Sequence, residues 1–163
     1  DYRFRTLQRA DLWHVPHDGA AAEALSAYFS SLTGREAGDP TSVDINQRVV
    51  SLLADAPGVA WATFCSLCEE PRSAADYVEM AREYHTVLIE QIPLLDRDKE
   101  DEARRFINLV DEFYDRNVKL IATAARAPEA LYGGSKLRFE FDRTVSRLQE
   151  MRTQEYLKTE HRP

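Results

Sequence analysis

The sequence predicts an α/β fold built on a three-stranded parallel sheet with flanking helices, and three observations carry that reading. Two runs, 85–92 and 118–124, are almost continuously apolar, as strands covered on both faces are. Between 59 and 124 the periodicity alternates between strand-like and helix-like, which gives two successive β-α-β units. Each intervening helical stretch opens on a capping signal. Right-handed crossovers then place segments 59–64, 85–92 and 118–124 side by side, with helices at 73–83 and 98–116 packed on the sheet.

The elements follow in order. Residues 1–7 alternate Tyr2, Phe4 and Thr6 against Arg3, Arg5 and Leu7, so a short strand entered from something upstream is expected. That start at Asp1, with no initiator Met, fits a fragment of a longer chain. Pro16 and Asp18 set up a helix over 19–32, where Ala22, Leu25, Phe29 and Leu32 recur at helical spacing and Gly34 ends it. Residues 34–41 read as a loop; 42–54 has strand-like content, and Pro57-Gly58 turns the chain into 59–64, as a hairpin or meander. Ser73-Ala74-Ala75-Asp76 has the form of a capping box. Asp98 is expected to cap the long helix with its apolar stripe Phe106, Leu109, Val110 and Phe113, and Asn117 to close it in a left-handed conformation. After Gly133-Gly134, a short segment 137–141 leads into a terminal helix with Val145, Leu148 and Met151 facing inward. The chain divides into a helix-plus-hairpin region, 1–58, and an α/β region, 59–163.

Composition narrows the function. A chain of 163 residues with 44% apolar residues buries one core. A net charge of −7 excludes a general nucleic-acid binder, although the dispersed arginines leave room for a local basic patch. Two cysteines make no disulfide framework and fit a reduced, cytoplasmic protein. No apolar run reaches the roughly 20 residues of a membrane span.

The motifs are mostly incomplete. The phosphate loop G-x-x-x-x-G-K-[ST], whose backbone N–H groups and Lys hold nucleotide phosphates, is absent. Gly133-Gly134-Ser135-Lys136 has its ingredients at the wrong spacing and reads as a turn. Strand 85–92 ends in Glu90-Gln91, an incomplete version of the acidic pair that holds Mg²⁺, and Thr123 imitates a polar γ-phosphate sensor. Cys65-x-x-Cys68 is half a zinc site; His14-x-x-His17 would complete it, but nothing in the sequence joins them, so no metal is expected. Arg143 and Arg147 share a helical face and Arg72 precedes the Ser73 helix; such forks suit a phosphate or an acidic partner, or else bridge to the chain's own carboxylates.

Three blocks carry a family resemblance. They run from Leu67-Cys68-Glu69-Glu70-Pro71-Arg72 to Tyr77, from Ala103-Arg104-Arg105-Phe106-Ile107 to Arg116, and from Phe139-Glu140-Phe141-Asp142-Arg143-Thr144 to Met151, followed by Glu155-Tyr156-Leu157. In this order and spacing the chain resembles the C-terminal portion of the Afg-one-like, or ZapE-like, AAA-type P-loop ATPases. The resemblance implies a parent that binds ATP and Mg²⁺ through an N-terminal half, hydrolyses ATP, assembles into homo-oligomeric rings and, in bacteria, acts in cell division with FtsZ. It also implies a cytoplasmic location, peripheral to the division site or inner membrane. No catalytic residue carries over, and this chain by itself is expected to hold no cofactor; Arg143, Arg147 and Arg72 are the candidates for phosphate or partner contact in the parent. The alternative is an independent protein-interaction module without ATP dependence. A stand-alone small-molecule enzyme has no cluster of base, nucleophile and orienting group to support it.

Overall fold

The computed structural model describes residues 2–163. Among the described residues the strands are β1 (Trp13–His14), β2 (Thr41–Ile45), β3 (Arg48–Leu52), β4 (Ala54–Ala56), β5 (Val59–Thr63), β6 (Thr86–Ile92) and β7 (Lys119–Ala124). The α-helices are α1 (Tyr2–Arg9), α2 (Gly19–Thr33), α3 (Ala74–Glu83), α4 (Glu100–Asp115), α5 (Pro128–Leu131), α6 (Arg138–Glu150) and α7 (Gln154–Lys158).

The expected parallel core is present. Strand β5 pairs with β6 and β6 with β7, all parallel, in the order that two right-handed crossovers produce. The sheet is wider than the sequence suggested: β1 adds in parallel to β7, and β4 adds antiparallel to β5 through the Pro57-Gly58 turn. Strands β2 and β3 form a separate hairpin, closed by Asn46 and Gln47, both at positive φ (54° and 67°), as a tight hairpin turn requires. The added edge strands are two and three residues long, too short to show a period.

Alternate residues of the sheet face two different cores. Val87, Ile89, Leu120 and Ala122 join Phe106, Leu109, Val110 and Phe113 of α4 and Tyr77, Met80 and Ala81 of α3. Leu88, Ile121, Val59 and Trp61 join Leu25, Phe29 and Leu32 of α2, Leu7 of α1 and Leu157 of α7. A sheet covered on both sides accounts for the unbroken hydrophobicity of β6 and β7. Helix α6 forms an outer layer on α4, stacking Phe141 on Phe106 at 6.4 Å.

Local signals explain most element ends. Asp18 accepts the Ala21 N–H at 2.9 Å to start α2, and Gly34 ends it at φ 73°. Ser73 N–H donates to the Asp76 carboxylate at 2.9 Å, half of the reciprocal bond that the predicted capping box needs. Asn117 takes the left-handed conformation (φ 56°) and its amide donates to the Tyr156 and Thr159 carbonyls, which ties the end of α4 to the C-terminal segment.

Three expectations require correction. Residues 2–9 form helix α1, not a strand; Asp1 of the expected strand lies outside the described residues. Phe4 and Leu7 lie one turn apart and both pack in the α2-side core, so tertiary contact decided between two periodicities in a short segment. Asp98 does not cap α4: Asp96 accepts the Arg97 N–H, a 3₁₀ turn covers Arg97–Lys99, and α4 starts at Glu100. The segment 137–141 is the first turn of α6 rather than a lead into it, and a further helix, α7, follows.

Candidate functional site

Ligands of open α/β sheets sit beyond the carboxyl ends of the strands, and Glu90 and Thr123 stand there. Glu90 is 9% exposed and accepts the Trp61 indole N–H at 2.9 Å. Burial pushes its carboxyl above the ordinary value, partly offset by that indole bond. The following Gln91 is at φ 65°, where the β6–β7 register slips between Ile89 and Ile92, and its N–H donates to the Thr123 hydroxyl at 2.9 Å. Thr123 thus holds a bulge in place. A glutamate whose burial disfavours its charged form, already bonded to an indole and beside a glutamine, does not fit the acidic pair that Mg²⁺ needs.

The loop with phosphate-loop ingredients is also filled from within. Lys136 N–H donates to Glu100 Oε2 at 2.8 Å, and the Tyr132 hydroxyl donates to Glu100 Oε1 at 2.5 Å. The Tyr132 hydroxyl, with the Lys136 and Ser135 amides, holds the Glu100 carboxyl below its usual range. A Cβ on Gly134 would lie 2.1 Å from Glu100 Oε1, so the glycine is there to let the carboxylate in. The amides of this turn already meet a carboxylate, so the turn does not fit the phosphates of Mg-ATP.

The candidate arginines are placed unequally. Arg143 and Arg147 of α6 both reach Asp111 of α4, Arg143 Nη2 at 3.5 Å from Oδ2 and Arg147 Nη1 in a closer pair with Oδ1. Arg147 also lies 5.0 Å over the Tyr114 ring and is a quarter exposed, whereas Arg143 is 53% exposed. Arg72 is not with them. It donates Nε and Nη2 to the Ser66 carbonyl at 3.1 and 2.7 Å, capping the π-helical turn Cys65–Glu69. Asp111 escaped the sequence reading, although it lies within the second family-like block; a carboxylate 32 and 36 positions from its partners gives no local signal.

Cys65 is exposed at the start of that π turn, while Cys68 is buried and accepts from the Tyr77 hydroxyl at 3.8 Å. Burial pushes the Cys68 thiol up to about 12, so it is no ready thiolate ligand. His14 stands on the opposite edge strand, beside Thr123. Among the described residues no group of three or more His, Cys, Asp or Glu is placed to hold a metal ion. Nor is any described helix long and apolar enough to cross a membrane. Two ring nitrogens at this end, His14 Nε2 and His17 Nδ1, are buried without a hydrogen-bond partner among the described residues.

Comparison with known proteins bears on the whole chain. It is 43% identical over 162 residues to the cell division protein ZapE of Escherichia coli (strain K12), covering 99% of this chain and 43% of that protein. It is 30% identical over 191 residues to the lactation elevated protein 1 homolog B of Danio rerio, covering 96% of this chain and 38% of that protein. The chain thus spans less than half the length of the curated relatives it matches. No solved structure matches it. The AFG1-like ATPase family model matches residues 1–160, and the chain belongs to that family.

Proposed function

We propose that this chain is the C-terminal α/β part of a ZapE-like ATPase, whose whole protein binds ATP and Mg²⁺ through an N-terminal half and works as a homo-oligomeric ring. In that protein ATP hydrolysis is coupled to remodelling of a protein partner in cell division, with FtsZ as the partner to test first. The single observation that carries the reading is the Glu100 carboxylate seated in the Gly133–Lys136 turn, which closes the nearest thing to a phosphate cradle. Nucleotide contact then has to be organised by residues outside this chain. The orphaned His14 and His17 nitrogens support docking of that half at the carboxyl end of the sheet, because a buried polar atom without a partner is costly.

Arg143 is the first candidate of this chain for phosphate or partner contact, being more exposed and less tightly paired than Arg147. An arginine that reaches a transferring phosphoryl contributes about 10³-fold or more in rate. Steady-state ATPase assays of the whole protein carrying Arg143→Ala, Arg147→Ala and both test this assignment. Turnover within about a factor of two of wild type in all three, with the oligomer intact, returns both residues to joining α6 to α4. Calorimetric titration of this chain with Mg-ATP is expected to show no saturable heat. One observation favours the interaction-module alternative: Phe139 is 82% exposed, one helical turn before Arg143. If Phe139→Ala abolishes partner capture while nucleotide has no effect on it, that alternative replaces the first.

A further inference from the structure

Cys65 and Cys68 stand on the π-helical turn Cys65–Glu69, which follows the carboxyl end of β5. A π turn is rare, and single turns of this kind recur at functional sites. This one is closed by the Glu70 N–H donating to the Cys65 carbonyl at 3.2 Å, five residues back instead of four. The next carbonyl in the series, that of Ser66, would need residue 71 as its donor, and residue 71 is a proline, which has no N–H. Arg72 fills that gap with both Nε and Nη2, at 3.1 and 2.7 Å from the Ser66 oxygen. The π winding and the seat of Arg72 are therefore one arrangement.

The same winding keeps the two sulfurs apart. Cys65 is exposed, while Cys68 is 1% exposed and packed in the core, where the Tyr77 hydroxyl reaches its Sγ at 3.8 Å. A turn wider than α separates positions three apart around its axis, so one thiol meets solvent and the other the core. In an α turn such positions are neighbours, with Cβ atoms about 5–6 Å apart, and in a 3₁₀ turn they eclipse. A disulfide needs Cβ atoms roughly 3.5–4.5 Å apart. The bond between Cys65 and Cys68 is thus open to a tightened turn and closed to the π turn. Tightening also redirects the hydrogen bonds: the Glu70 N–H passes from the Cys65 carbonyl to that of Ser66, four residues back, and takes the place held by Arg72. The Glu69 carboxylate, with burial, raises the Cys65 thiol above its ordinary value, and burial pushes Cys68 up to about 12. Both thiols therefore attack slowly and, once joined, are poor leaving groups.

We propose that Cys65 and Cys68 are a redox pair that closes to an intramolecular disulfide when the chain meets a small disulfide, oxidised glutathione, and that closure tightens the π turn and releases Arg72. The exposed Cys65 loses its proton to solvent, attacks one sulfur of the oxidant and expels one glutathione thiolate. The turn then tightens, and Cys68, giving up its own proton, attacks the Cys65 sulfur of the mixed disulfide and expels the second glutathione thiolate. Two protein thiols are oxidised to one disulfide, one glutathione disulfide is reduced to two thiols, and the two leaving thiolates take up the two protons. Cys65 is the point of entry because Cys68 is sealed in the core. The state of the pair then sets whether Arg72 is pinned on the Ser66 carbonyl or free at the surface.

The test is to equilibrate this chain with oxidised glutathione, block the remaining thiols with N-ethylmaleimide and measure the intact mass. The expected product is monomeric, lighter by two hydrogens, free of maleimide, and restored by dithiothreitol. Cys68→Ala should hold glutathione on Cys65 as a lasting mixed disulfide. Because Cys68 is buried and its replacement can disturb the core, Cys65→Ser at the exposed position is the second variant, expected to take up glutathione about tenfold more slowly than wild type or not at all. For the turn, nitrogen NMR should show the Arg72 Nε–H exchanging with water about tenfold faster or more in the disulfide form, as a released donor does. Wild type that stops at a glutathione adduct, forms only disulfide-linked dimers or keeps both thiols free at equilibrium would overturn the pair, and so would Cys65→Ser reacting as fast as wild type. A disulfide that forms while Arg72 Nε–H exchange stays unchanged would overturn the release of Arg72.

Discussion

The two ends of the same parallel sheet have opposite chemistry. At the carboxyl end Glu90 is capped by Trp61 and Thr123 is engaged by Gln91, so the polar groups that resemble nucleotide machinery are satisfied within the chain. At the amino end Arg3, His85, Lys119 and His161 line one cavity together with Glu160. The usual rule for α/β sheets looks to the carboxyl end for a ligand. In this chain the described residues at the carboxyl end leave His14 Nε2 and His17 Nδ1 buried without a hydrogen-bond partner, while the amino end presents basic groups to a cavity.

The largest expected effect tests how rigidly the amino end is built. Gly58 is at φ 77°, and a Cβ there would lie 2.5 Å from the His85 ring. Gly58→Ala therefore combines left-handed strain with a collision and should destabilise by about 2–4 kcal/mol, measured by urea denaturation. A loss below about 0.5 kcal/mol would mean that His85 swings freely and that the cavity is not preorganised. The next test is acid sensitivity. Because the folded His85 pKa of about 4 lies below its ordinary 6.5, the unfolded chain takes the proton first, and stability falls as pH drops from about 6.5 towards 4. His85→Gln should flatten that limb by about 1–2 kcal/mol, the figure allowing for the solvent that screens a half-buried ring.

Glu90 gives the contrast at the carboxyl end. Its raised pKa means that the folded state prefers the protonated form, so its contribution to stability is greatest at acid pH and declines as pH rises through the folded value. Glu90→Gln keeps an acceptor for Trp61 and should leave stability at pH 7 unchanged or raised by up to about 1 kcal/mol. A loss of several times that would show that the charged carboxylate is needed, and with it a cation. The smallest effect belongs to Arg143→Ala, about 0.5 kcal/mol or less for an exposed pair, read from the same denaturation curves.

The carboxyl end was partly legible in sequence and the amino end was not. Glu90, Gln91 and Thr123 lie at the ends of apolar runs, where strand-end polar residues are easy to see, and the Gly133–Lys136 turn is a contiguous string. What the string could not convey is that Glu100, more than 30 positions away, fills it. The basic cavity has no local trace at all. Arg3 and His85 are 82 positions apart, and Lys119 opens a strand whose remaining residues are Leu, Ile, Ala and Thr. Arg143 and Arg147 were recognisable as a pair on one helical face, but their common acceptor Asp111 depends on how α6 lies across α4.

Sequence alone determined the order β5, α3, β6, α4, β7 and its parallel pairing, because continuous apolar runs joined by amphipathic helices have one favourable right-handed way to bury both faces. It also determined the absence of a phosphate loop and, through its three blocks, the family. Tertiary structure decided the rest: that residues 2–9 are helical, that β1 and β4 extend the sheet, and which charges share a cavity. Short segments carry too few residues for a period to be decisive, and a charge cluster assembled from α1, β7 and the tail exists only when packing brings distant chain together.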